Sequence, residues 1–258
     1  MKKTLIICGS LYFTIIAVIL IGRFFNVYGL LVGILSLLVL LVGLLGYELI
    51  QIIHIYKIIS KLADTTKYIE VLRDVENLLK HPLTTSEIFS LNETKAYALI
   101  YSNQLEKAKK FIETLEYPTK NSMKLSVQRV KLTLRLELAQ VEDNEEEYLE
   151  TMNQMLKFEK NKKVVEYLNY DKTVMTYYFQ LLKDFNQPSL EQEVSKIFEI
   201  EEKIQKTDGS IYYFSILFNR YVKLLALKVN QMPLYGLEEL ENEAKGTYLE
   251  TKLENLKK

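Results

Sequence analysis

The sequence predicts an all-α protein in three parts: a transmembrane helical hairpin, a long connecting helix and a stack of antiparallel helix pairs. Three observations predict it. Residues 5–47 hold no Asp, Glu or Lys, and Arg23 is their only charge. All four prolines, at 82, 118, 188 and 233, fall between amphipathic segments, where a helical chain tolerates them. No stretch sustains strand-period alternation between glycine-containing turns. The parts span residues 1–50, 48–81 and 82–258.

Around Arg23 lie two apolar runs, 5–22 and 27–47. Each approaches the ~20 residues a helix needs to cross ~30 Å of hydrocarbon. Backbone amides cannot stay unpaired in lipid, so such runs become helices. The joint Arg23-Phe24-Phe25-Asn26 is short enough to make them antiparallel neighbours. A cleavable signal is the rival reading of the first run, but the run is long for a signal core and lacks a convincing cleavage site. Cys8, the only cysteine, lies inside it, so no internal disulfide exists. Six of nine glycines fall at 9, 22, 29, 33, 43 and 46. Gly29 and Gly33, with Ser36 following, form a small-residue face on which membrane helices pack closely. That face serves the hairpin itself, or a homo-oligomer through the membrane helices. Lys2 and Lys3 precede the first run, and Lys57, Lys61 and Lys67 follow the second. The positive-inside rule then puts both termini in the cytoplasm.

Beyond Tyr47, Glu48, Gln51, His54, Lys57, Lys61, Asp64 and Tyr68 form one polar stripe at three- and four-residue spacing. No Gly or Pro interrupts residues 47–81, which predicts one continuous helix to about Lys80. His54 has no second His or Cys nearby and is not read as a metal ligand.

In the third part, Ser90-x-x-Glu93 has the form of a capping box. Ala96, Tyr97, Leu99 and Ile100 follow on one helix, Ser102-Asn103 makes a turn, and Leu105, Ala108, Phe111, Ile112 and Leu115 mark a second helix before Pro118. This unit resembles a tetratricopeptide repeat. Ala96 and Ala108 stand at that family's two small positions, and Leu99 and Ile112 at two large apolar ones. Asn92 replaces the frequent Trp, and Pro118 comes two residues early. The resemblance implies a solenoid that presents a binding surface to a protein or peptide partner. Later pairs keep only the rhythm. Residues 122–140 and 145–158 pair through Asp143-Asn144, and 163–183 pairs with 189–205, opened by Ser189-x-x-Gln192. A turn at Asp208-Gly209-Ser210 leads into 211–229, and a last helix runs from Pro233 to Leu256.

The charge balance is 33 basic against 33 acidic residues. Outside residues 1–47 that leaves 30 against 33, interspersed rather than clustered, which argues against nucleic-acid binding. No phosphate loop, dinucleotide loop or metal-binding spacing is present. With two His and one Cys the sequence predicts no catalytic residue, no cofactor and no metal. Its unusual resource is aromatic, 18 Tyr and 11 Phe. Tyr167, Tyr170, Tyr177 and Tyr178 gather on one predicted helix, and Tyr212, Tyr213 and Tyr221 on another. They read either as core packing or as a groove for a partner segment. Usage rich in Lys, Ile and Asn matches an AT-rich bacterial genome. The expected function is a membrane-anchored cytoplasmic interaction adaptor that contacts lipid and a protein partner. A membrane-tethered peptide sensor and a hairpin subunit of a transporter or secretion complex are the alternatives.

Overall fold

The computed structural model describes residues 27–115, 124–183 and 213–257, with 16, 17 and 20 as isolated positions. The first apolar run, the joint, Pro118, Pro188, the predicted helix 189–205 with its capping box and the turn at Asp208 lie outside them, 16, 17 and 20 apart. Among the described residues the chain is all-helical, with no strand. Its helices are α1 (Val27–Ser60), α2 (Tyr68–Leu78), α3 (Thr85–Tyr101), α4 (Leu105–Thr114) and α5 (Lys124–Val141). They continue as α6 (Glu145–Phe158), α7 (Lys162–Lys183), α8 (Tyr213–Val229), α9 (Leu237–Ala244) and α10 (Tyr248–Lys257).

At 34 residues α1 is ~50 Å long, well beyond the ~30 Å of a hydrocarbon core. Its stretch Gly33–Ser60 is the one described helix long and apolar enough to cross a membrane, and 6% of its most apolar window is buried. Leu38, Val39, Val42 and Leu45 all stand exposed along it. Near Gln51 the helix changes neighbours. Ile55 and Ile58 are buried with Val71, Val75, Leu91 and Ala98, from α2 and α3. Ile50, Ile52, Ile53 and Tyr56 on the other side stay exposed.

The continuous helix expected over 47–80 is interrupted. Two short 3-10 turns, Lys61–Ala63 and Thr65–Lys67, separate α1 from α2. Asp64 adopts an extended backbone and accepts from the Thr66 amide at 3.1 Å and its hydroxyl at 2.6 Å. Such side-chain bonds compete with the helical ladder, and no Gly or Pro is needed to break it. Lys61 then bonds Asp74 at 2.6 Å and also Glu70, which folds α2 back along α1.

Each helix packs on the next from α1 to α10, and short turns make α3/α4 and α5/α6 antiparallel pairs. The pair α3/α4 turns at Asn103, whose φ of 59° is left-handed. Ala96 and Ala108 are both fully buried there, as small residues at a close helix approach should be. The cap of α3 lies elsewhere than expected. Thr84 and Glu87 form the capping box, with the Thr84 amide donating to Glu87 at 2.6 Å. Ser90 and Glu93 lie inside the helix, because Pro82 sets its start earlier. Asn144 caps α6 by accepting from the Glu147 amide at 3.2 Å, and Asp143 before it has φ 57°.

The single helix expected over 233–256 is two. Gly246 at φ 76° breaks it, a conformation open to Gly at little cost. Thr247 restarts the chain, its hydroxyl donating to the Ala244 carbonyl at 2.6 Å. The two ends of the helical domain meet where the Thr65 hydroxyl donates to the Glu243 carbonyl at 2.5 Å, and α10 also reaches α5, whose Gln140 donates to the Tyr248 hydroxyl at 3.2 Å.

Leu91 is fully buried at the α1–α3 junction, whereas Ile69 is 67% exposed. Leu91→Ala should lower unfolding stability by ~2–5 kcal/mol and Ile69→Ala by less than ~0.5 kcal/mol, read by urea titration of the full chain in detergent.

Candidate functional site

The tyrosines singled out in the sequence divide by burial. Tyr177, Tyr178 and Tyr221 are buried, at 3%, 0% and 4% exposure. Tyr178 is the centre of an aromatic knot, its ring 5.1 Å from Phe218, 5.5 Å from Phe179 and 6.1 Å from Tyr221. This knot joins α7 to α8, so Tyr178 and Tyr221 pack there, and Tyr177 is buried in the same core. Tyr167 and Tyr170 are half-buried on α7. Tyr212 and the Tyr213 side chain lie outside the described residues. Along α1, Gly33 is buried and Ser36 exposed, and Gly29 is described by its helical backbone alone.

Another polar group stands out, drawn from several helices. On α3, Glu93, Tyr97 and Tyr101 recur every four residues and so share a face. The Tyr97 and Tyr101 rings stack at 5.8 Å, and Tyr68 of α2 tilts against Tyr101 at the same distance. On α5, Glu137 accepts from the Tyr101 hydroxyl. On α7, Asp171 accepts from the Tyr148 hydroxyl of α6 at 2.7 Å. Tyr248 of α10 closes one end, beside Glu137 and bonded to Gln140. Glu93, Tyr97, Glu137, Tyr167 and Asp171 are each half-buried, with part of each side chain still open to solvent. Glu137 thus lies near Asp171, and Tyr97 lies near both Glu137 and Glu93, with tyrosines of several helices around them.

Burial dominates their electrostatics. It lifts Glu137 to about 8, with the nearby Asp171 charge adding to the rise. It lifts Asp171 to about 6, against the lowering effect of the Tyr148 hydrogen bond. Glu93 is raised for the same reason. Tyr97, Tyr101, Tyr148 and Tyr248 are all pushed well above the ordinary phenol range by burial, so they remain neutral donors. A carboxyl held above its usual range is a site where negative charge is disfavoured until a cation arrives. The arrangement therefore suits an ammonium or guanidinium group, held by carboxylates and flanked by tyrosine faces. Among the described residues no three His, Cys, Asp or Glu side chains come together as a metal site.

A second polar knot lies at the α5–α6 turn. Lys252 of α10 donates to both Asp143 oxygens at 2.5 Å and to the Tyr178 hydroxyl at 3.1 Å, and burial lowers its own pKa. Its ammonium is already paired, so this knot fastens α10 rather than offering a site. No sequence signal linked Glu93, Glu137 and Asp171, which come from three separate helices. Compared with protein families, curated proteins and solved structures, the chain matches none.

The raised carboxyls fix a pH dependence. Between the unfolded carboxyl range, near 4.5, and about 8, the folded chain keeps the Glu137 proton that the unfolded chain has lost. Stability should therefore fall as pH rises through this window. Glu137→Gln should flatten that slope and raise the melting temperature at pH 8 by about 2–4 °C for each kcal/mol relieved, read by circular dichroism between pH 5 and pH 8.

Proposed function

We propose that this protein is a membrane-anchored interaction adaptor, with α1 in the bilayer and a helical-repeat domain that receives a cationic segment of a protein partner. The observation that carries this reading is the half-open face where Glu93, Glu137 and Asp171 stand among tyrosines. Carboxyls lifted by burial have their charge satisfied when a Lys or Arg side chain enters, and tyrosine faces add cation–π attraction. The alternation of helices resembles a tetratricopeptide stack, in which every second helix lines one side. Anchoring places that side at high effective concentration for membrane-proximal partners. The two-pass topology, with both ends in the cytoplasm, belongs to the same proposal and rests on Lys2, Lys3, Lys57, Lys61 and Lys67 flanking the apolar runs.

The test uses the full chain in detergent against a bead-displayed octapeptide library. Enrichment of Lys- or Arg-containing sequences is expected, with affinity rising from pH 6 to pH 8 as Glu137 ionises. The Glu137→Gln/Asp171→Asn double variant should lose at least about tenfold in affinity while staying folded. An unbiased library, or a Lys/Arg bias that persists in the variant, would contradict the reading.

A further inference from the structure

A cleft of about 360 Å³ lies between the last turns of α1 and the end of α2. Both of the chain's histidines line it, His54 from α1 and His81 just after α2, with Lys57, Lys61, Asp74 and Asn77. Ile58 and Leu78 make its apolar floor. The register is antiparallel: Lys61 reaches Asp74 and Glu70, while His54 faces the far end, at His81. So α2 runs back along α1 and returns its C-terminal end toward the apolar stretch.

The charges are unevenly matched. Lys61 satisfies Glu70 and Asp74, Arg73 stands 3.9 Å from Asp74, and Glu76 is taken by Lys95 at 2.9 Å. Lys80 donates to Asn77 at 3.1 Å, which sets its ammonium against the cleft wall. Lys57 is exposed and has no ion pair among the described residues. The acids are thus neutralised, which leaves a positive surplus from Lys57 in the lining and from Lys80, tied to the lining residue Asn77. The depth of the cleft is also specific. His54 lies seven residues past Tyr47, ~10 Å along the helix axis, at the outer edge of the ~5–8 Å polar zone of a bilayer whose hydrocarbon ends near Tyr47. Lysine stems reach further, along apolar surface, with the ammonium kept in the polar zone.

We infer that this cleft holds the phosphate headgroup of an anionic membrane lipid. The inference rests on reading α1 as a membrane helix. Lys57 and Lys80 would meet the phosphate oxygens, His54, His81 and Asn77 would hydrogen-bond the headgroup, and Ile58 and Leu78 would contact its glycerol end. An anionic lipid so bound would fix the height and rotation of the helical domain above the bilayer.

The test reads retained lipid by native mass spectrometry of the full chain, released from nanodiscs of phosphatidylcholine mixed with phosphatidylglycerol. The wild-type chain should keep phosphatidylglycerol in preference to phosphatidylcholine. Lys57→Gln/Lys80→Gln, at two exposed positions, should cut that preference about tenfold. Lys110→Gln/Lys160→Gln removes equal charge elsewhere on the surface and should leave it unchanged. Equal retention of both lipids, or an equal loss in the two double variants, would overturn the cleft. So would displacement of the lipid by inorganic phosphate, with no preference for the lipid over the free ion. A chain that never enters either nanodisc would refute the membrane helix itself, a failure distinct from insertion without selective retention.

Discussion

Everything downstream is positioned by the seat of Ile55 and Ile58 against Val71, Val75, Leu91 and Ala98. One continuous helix carries a broad exposed face of Ile, Leu and Val over residues 34–45 and then buries one face in a protein core. Burying an aliphatic side chain is worth ~1.5–3 kcal/mol. The six residues of this seat therefore make a firm joint rather than a hinge. A polypeptide linker would leave the domain free to rotate; a helix shared between the apolar stretch and the core does not. The Lys61 bonds to Glu70 and Asp74 are only part-buried and add orientation more than energy.

The second constraint is how the domain tolerates carboxyls among tyrosines. Burial raises Glu137 to about 8 and Asp171 to about 6, so near neutral pH Glu137 keeps its proton while Asp171 is largely ionised. The hydroxyls of Tyr101 and Tyr148 supply one hydrogen bond each. Leucine at these positions would pack without that electrostatic cost, so carboxyls there weaken the apo fold. A cationic guest would relieve the strain. The tyrosine-rich composition has two uses: Tyr178 and Tyr221 hold α7 to α8, whereas Tyr97 stands half-buried on the carboxyl side with the buried Tyr101 stacked against it.

Much of the architecture was legible because its signals are local. Prolines between amphipathic segments gave the class, and the turns at Ser102-Asn103 and Asp143-Asn144 fell where short polar pairs separate apolar faces. Ala96 and Ala108 were readable because closely packed helices need small side chains. What escaped was competition between similar local signals. Thr84–Glu87 and Ser90–Glu93 both satisfy the capping pattern, and only the position of the chain break at Pro82 decides between them. The interruption at Asp64 comes from side chains that bond their own backbone, a weaker mark than Gly or Pro. Gly246 lay in a segment apolar enough to read as one helix. The site was the least legible part. Glu93, Glu137 and Asp171 are 44 and 34 residues apart in turn, each on an ordinary amphipathic helix. Only the packing of the helices brings Glu137 near Asp171 and sets Tyr97 near both Glu93 and Glu137.

The account stands on α1 meeting lipid at one end and core at the other. Its most direct test places a fluorophore at residue 42, through Val42→Cys in a Cys8→Ser background, in the full chain reconstituted in vesicles. Val42 is 66% exposed on the helix. Lipids spin-labelled in the acyl chain should quench that probe strongly, while a matching probe at Glu113 on α4 should stay unquenched. Equal quenching at the two positions, or none at residue 42, would contradict it.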